Sequence, residues 1–200
     1  MLLGCYYLTY LNEEERPKKE LVYSNSDQVM QAYEAGVIGL RTPIKVRING
    51  EIFETTHGRI MFNQIIPKEI GFQNETMKKN NLKKLLRICF YDLGMEITAL
   101  LADQIKDLGY TYATKSGLSI SKDDMITPDN KDILIDEVND KVRNIQNYYW
   151  NGFMTESEKY AQSINVWAGV KKVIEKEMKY GFLPNNHIFN FVDSGARGNW

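Results

Sequence analysis

The residues best suited to chemistry stand near the end of the sequence: Asp193, Ser194, Gly195, Ala196, Arg197 and Gly198. Two glycines flank a single arginine. A loop of this kind can turn several backbone N–H groups, together with one guanidinium, toward an anion. In phosphate-binding loops a helix N-terminus usually completes the site, whereas here only Asn199 and Trp200 follow. A glycine-rich segment with one arginine also serves simply as a turn. The residues alone leave both readings open.

Other chemical candidates are thinner. His57 and His187 lie far apart and neither belongs to a ligand cluster. His187, Asp193 and Ser194 are the residue types of a hydrolytic triad, but no nucleophile-elbow pattern frames the serine. His57, beside Gly58 and Arg59, reads as a packing or turn position ahead of an anion contact. Asp123 and Asp124 offer two carboxylates without further ligands; with Ser119 and Ser121 they read as a turn and helix cap. Walker-type phosphate loops, dinucleotide-binding glycine patterns and HExxH zinc patterns are all absent from the sequence. The two cysteines, Cys5 and Cys89, form no CxxC pair, so they read as buried thiols in a reducing compartment. No metal ligands are expected within the chain.

Charge and composition narrow the classes. A formal net charge of -1 excludes whole-chain attraction to nucleic acid or membrane, leaving only local patches. One such patch is Lys78 to Arg87, KKNNLKKLLR. It reads first as the solvated face of an amphipathic helix, with a polyanion surface as the alternative. The start, MLLGCYYLTYL, is apolar but lacks a basic leader and is too short to span a bilayer, so no membrane role is expected and the location reads as cytoplasmic. At 200 residues and 43% hydrophobic, the chain can fill one good core or two small ones.

The elements that must position these residues follow from periodicity. Residues 26–35 form a short helix capped by Ser24 or Ser26 and ended by Gly36. Ile44, Val46 and Ile48 alternate with charged residues up to Asn49-Gly50, and Glu51 to Glu54 continue beyond, which is a hairpin signal. Ile60, Met61, Phe62, Ile65 and Ile66 make an apolar segment closed by Pro67. Helices are expected over 82–92 and 96–108, broken at Gly94, and small polar residues then dominate from Thr111 to Pro128. Apolar residues at 134, 138, 142, 145 and 149 share one helical face. After a break at Asn151-Gly152, Thr155 and Glu158 form a capping box. A second stripe follows at Tyr160, Ile164, Trp167, Val170, Ile174 and Met178, ended by Gly181 and Pro184. Two such helices should close as an antiparallel hairpin, burying their stripes on each other and projecting the tip, Asn151 to Glu158. Phe153 and Met154 at that tip either pack beneath the turn or bind a partner.

Six segments taken in order carry a family resemblance: LLGCYYLT, AYEAGVIGLRTPIKVRI, ETTHGRIMFNQIIP, ADQIKDLGYTYATKSGLSISKDDMITP, GFMTESEKYAQSINVWAGV and FNFVDSGARGN. Nearly the whole chain resembles the middle of the β′ subunit of bacterial DNA-directed RNA polymerase. The resemblance implies an α+β fold in two parts. Residues 1–128 would be a mixed, mostly helical pore region with a short β-hairpin, beside the active site. Residues 129–200 would be a funnel: helices of about 131–150 and 156–180, plus the start of the substrate-facing SGARG loop. Nucleotides would enter through the secondary channel that this funnel rims. Arg197 would contact the triphosphate of a ribonucleoside triphosphate, with Ser194 and Gly195 shaping the loop, and no catalytic residue would lie in this chain. Phe153, Met154, Glu156 and Glu158 would form the docking rim for Gre-type transcript-cleavage factors. Partners would be the β, α, ω and σ subunits, DNA template and RNA.

Departures from the family pattern limit these expectations. The NADFDGD motif that holds catalytic Mg²⁺ is absent, as are the zinc-binding cysteine clusters, the bridge helix and the trigger loop. The chain then reads as an internal fragment, inactive alone, with Mg²⁺ and Zn²⁺ belonging to the longer subunit. His57 stands where the family pattern TTVGR has valine, so no role is carried to it. The rival reading is a free-standing α+β interaction module that binds a protein partner through its helical-hairpin tip.

Overall fold

Asn49 and Gly50 both take positive φ, 51° and 92°, the backbone that a two-residue hairpin turn requires. They join β2 (Ile44–Ile48) to β3 (Glu51–Thr55) in antiparallel register, with Ile44 opposite Thr55 and Ile48 opposite Glu51. A two-residue strand, β1 (Val22–Tyr23), pairs parallel to β2, giving the order β1-β2-β3. The computed structural model that shows this describes residues 1–182 and 186–198.

Helices make up most of the rest: α1 (Leu2–Thr9), α2 (Ser26–Glu34), α3 (His57–Asn63), α4 (Lys79–Leu93), α5 (Met95–Ser116), α6 (Lys131–Trp150), α7 (Glu156–Gly181) and α8 (His187–Asp193). The α+β class is the expected one. Details differ. The cap of α2 is Asn25, whose side chain accepts from the Gln28 N–H at 2.9 Å, rather than Ser24 or Ser26. Helix α4 begins three residues earlier than expected. Helix α5 runs eight residues past Leu108, through the polar stretch that composition assigns to turns. There Thr111 and Thr114 donate back to the carbonyls of Asp107 and Tyr110, so their hydroxyls do not compete with the helix. Tyr112 is buried on its inner face, and Gly117 ends it in the left-handed region.

Clustering of the backbone divides the chain into two units. The first runs from Met1 to Ser119 and takes in the described residues from Asn190 onward. It contains two apolar clusters. Val29, Ile38, Ile44, Val46 and Ile60 pack α2 and α3 beneath the sheet. Cys5, Leu8, Phe62, Cys89, Leu101 and Ile105 join α1, α3, α4 and α5. Both cysteines are buried free thiols, and burial pushes the Cys5 thiol up to about 11. Helix α1 crosses α5 without a spacer: a Cβ on Gly4 would fall 1.8 Å from the Gly109 carbonyl oxygen.

The second unit, Ile120 to Phe189, is the helical hairpin of α6 and α7. Thr155 and Glu158 form the expected capping box. The stripe of α6 packs as its spacing implies, with Val138 and Ile145 buried. The stripe of α7 does not. Val170, Ile174 and Met178 of the expected stripe are half-buried, but in the N-terminal half Ser163 and Val166 take that place while Tyr160, Ile164 and Trp167 are exposed. The inner face is rotated by one residue at its N-terminal half, from 164 and 167 to 163 and 166. Gly181 is the last residue of α7; Pro184 lies outside the described residues.

Candidate functional site

Helix α8 ends at Asp193, and the Ser194–Gly198 loop turns back against the start of α4. The sequence groups this loop with the helical hairpin it follows; in the fold its residues belong with the first unit. Gly195 takes φ 73°, and a Cβ there would also fall 2.9 Å from the Lys79 Cβ. Both the backbone and the close approach therefore require glycine at this position.

The loop does not present its amides as the motif suggests. The N–H groups of Ser194, Gly195 and Arg197 donate to the carbonyls of Asn190, Val192 and Phe191 at 3.1, 3.0 and 3.3 Å. The Ala196 N–H donates to Ser194 Oγ, which in turn donates to the Phe191 carbonyl. Ser194 is thus buried and serves the loop internally. What faces outward is side-chain charge. Lys78, Lys79, Asn80, Asn81 and Lys83 line one wall of a cleft of about 590 Å³, and Val192 to Gly198 line the other. Lys78 is committed to Asp193 at 2.8 Å. Arg197, Lys79 and Lys83 are exposed and form no ion pair among the described residues. Helix α4 starts in this cleft with no side chain capping it, so its positive end adds to the field. Three free cations around a cleft of this size suit a multiply charged anion. The basic run that patterning assigns to a solvated face supplies two of them, and only the tertiary return of α8 reveals it.

The other candidates resolve differently. His57 is 1% exposed and stacks on Tyr33 with ring centroids 4.2 Å apart. Neither of its ring nitrogens has a hydrogen-bond partner. Arg59 is buried, donating to the Thr9 carbonyl, to Asn74 and to Thr76. Asp124 accepts from the Ser121 N–H, completing a capping box as the turn reading implies. Among the described residues no three His, Cys, Asp or Glu side chains come together. Neither Mg²⁺ nor Zn²⁺ fits the described residues.

At the hairpin tip, Gly152 takes φ 74° and Phe153 is 76% exposed, its ring edge-on to Tyr148. Met154 is half-buried and Glu156 exposed. The Glu158 carboxylate is occupied by the N–H and hydroxyl of Thr155, so it caps α7 and is not a free charge. Trp150, Tyr148 and Tyr160 are also exposed around the tip, an aromatic surface larger than the two residues sequence reasoning singles out.

The fold and site together define an α+β chain with a cation-walled cleft in one unit and an aromatic-tipped helical hairpin in the other. The chain belongs to the family described as RNA polymerase Rpb1, domain 3, whose model matches residues 1–125. It is 36% identical to the DNA-directed RNA polymerase subunit beta' of Syntrophobacter fumaroxidans, over 99% of this chain and 16% of that protein. The same subunit of Chlamydia pneumoniae is 35% identical over 100% of this chain and 16% of its own length. That of Thermosipho melanesiensis is 37% identical over 100% of this chain and 12% of its own length. The chain thus spans between about an eighth and a sixth of the length of these relatives. No helix among the described residues is long and apolar enough to cross a membrane.

Proposed function

We propose that this chain serves as part of the β′ subunit of a DNA-directed RNA polymerase, the nucleotidyltransferase that builds RNA on a DNA template. In that assembly its partners are the β, α, ω and σ subunits, the template and the transcript. The cleft between α4 and the Ser194–Gly198 loop receives the triphosphate of an incoming ribonucleotide. The α6–α7 hairpin forms the rim of the secondary channel, and its tip, with Phe153, Met154 and Glu156, docks Gre-type cleavage factors. Mg²⁺ and Zn²⁺ are held elsewhere in the longer subunit, and the chain alone does not polymerise. The setting is the cytoplasm.

One observation carries the triphosphate reading: Arg197, Lys79 and Lys83 line one cleft, and among the described residues none of them is paired with a carboxylate. Guanidinium and ammonium groups bind phosphate oxygens by charge-assisted hydrogen bonds. Phosphoryl transfer depends on such stabilisation of developing charge. In an intact polymerase carrying this segment, Arg197→Ala should lower kcat/KM for ribonucleotides about tenfold, roughly the value of one charge-assisted bond. Unchanged single-nucleotide addition kinetics would remove Arg197, and with it the triphosphate reading.

A further inference from the structure

Asp193, the last residue of α8, is held from two sides. Its Oδ2 accepts from the Tyr6 phenol at 2.9 Å, and its Oδ1 from Nζ of Lys78 at 2.8 Å. Tyr6 lies in α1 and is 1% exposed. Burial and the Asp193 carboxylate push its phenol far above the ordinary value, so it stays a donor. Three residues on, Thr9 Oγ1 accepts the Met77 N–H at 2.7 Å, and Arg59 Nε donates to the Thr9 carbonyl at 2.8 Å. Arg59 also grips Asn74 and Thr76. Helix α1 thus holds α8 through Tyr6 and the segment leading into α4 through Thr9. The Lys79 N–H donates to the Ser194 carbonyl at 3.0 Å and closes the ring.

The consequence is geometric. The two walls of the cleft come from residues more than a hundred positions apart in sequence and meet at the Gly195–Lys79 contact. At that separation the loop has no local reason to stand where it does. Beside the Lys78–Asp193 pair and the Lys79–Ser194 bond, what ties it to the core is the part-buried bond from Tyr6 of α1, a helix held by its spacerless crossing of α5.

We propose that Tyr6 is a positioning residue for the cleft: its phenol fixes Asp193 and so sets the Ser194–Arg197 loop against α4, with Arg197, Lys79 and Lys83 facing one anion. The proposal rests on the triphosphate reading above. Tyr6 touches no ligand. Asp193 has a second effect, because it neutralises Lys78 and leaves the three other cations to the anion.

The test uses the 200-residue chain and inorganic tripolyphosphate. Tyr6→Phe keeps the ring and removes only the hydroxyl. Amide hydrogen exchange should quicken about tenfold at Gly195 to Arg197 and stay unchanged in α6 and α7. The Kd for tripolyphosphate should weaken about fivefold, the net contribution expected of one ordinary hydrogen bond acting through the loop's position. Asp193→Ala, which breaks the same bond from the other end, should reproduce the change in exchange. Unaltered exchange in both variants overturns the proposal, and so does faster exchange with unaltered tripolyphosphate affinity. If the unsubstituted chain binds no tripolyphosphate while Tyr6→Phe still quickens exchange, the triphosphate reading fails and the clamp stands.

Discussion

His57 illustrates what a single buried polar residue does to stability. Its imidazole, on the first residue of α3, stacks on Tyr33 with both nitrogens unpartnered, and burial holds its pKa below the ordinary 6.5. The unfolded chain therefore binds the proton more readily than the folded one. Stability is complete above about pH 6.5 and falls as pH drops through the interval down to the folded value. His57→Val removes the titrating group, and valine is what the TTVGR pattern has at this position. Urea melts of the variant should lose the part of the acid decline that begins near pH 6.5, while the unsubstituted chain keeps it. Parallel declines in the two would show that other groups govern the acid limb. The histidine is plain in the sequence, but its burial is not, because a ring next to Gly58 and Arg59 has no local signature of depth. The same holds for Ser194. Its hydroxyl looks available beside Arg197, yet it is buried and closes the loop on its near neighbours Phe191 and Ala196.

At the scale of elements, periodicity carried most of the fold. The hairpin at Asn49-Gly50, the break at Gly94, the bounds of α6 and the capping box of α7 are all local chemistry, and local chemistry is legible. The inner face of α7 is not, since two adjacent stripes compete and the winner depends on the packing against α6. Ser163 and Val166 win over Ile164 and Trp167, which leaves Tyr160, Ile164 and Trp167 exposed beside the tip. The tip itself supports a docking role because Phe153 contributes little to the hairpin's own packing. In an intact polymerase carrying this segment, Phe153→Glu with Met154→Glu should weaken capture of a Gre-type cleavage factor at least tenfold, the loss expected when a central aromatic anchor is replaced by charge. The thermal midpoint of the 200-residue chain carrying Phe153→Glu alone should move by no more than about 2 °C, since substitutions at so exposed a site typically cost under about 0.5 kcal/mol. Unchanged capture would point the docking surface away from these two residues.

For the molecule as a whole, the two units differ in how they are stabilised. The first has two apolar clusters, a sheet and the α1 clamp, which reaches from Tyr6 to Asp193. The second relies on one helix pair in which Val138 and Ile145 are the buried apolar residues of α6 and no residue of α7 is buried. Pairing this thin should open at lower free energy than a layered core. The chain supplies its own reporters. Cys5 and Cys89 are buried in the first unit, and the backbone amides of α6 and α7 report on the second. With rising urea, amide hydrogen exchange across α6 and α7 should quicken before Cys5 and Cys89 become reactive to a thiol reagent. The interval between the two events measures the stability difference between units, on the order of 1–3 kcal/mol per molar urea separating the midpoints. Coincident transitions would mean that the hairpin and the clamped core unfold as one cooperative body.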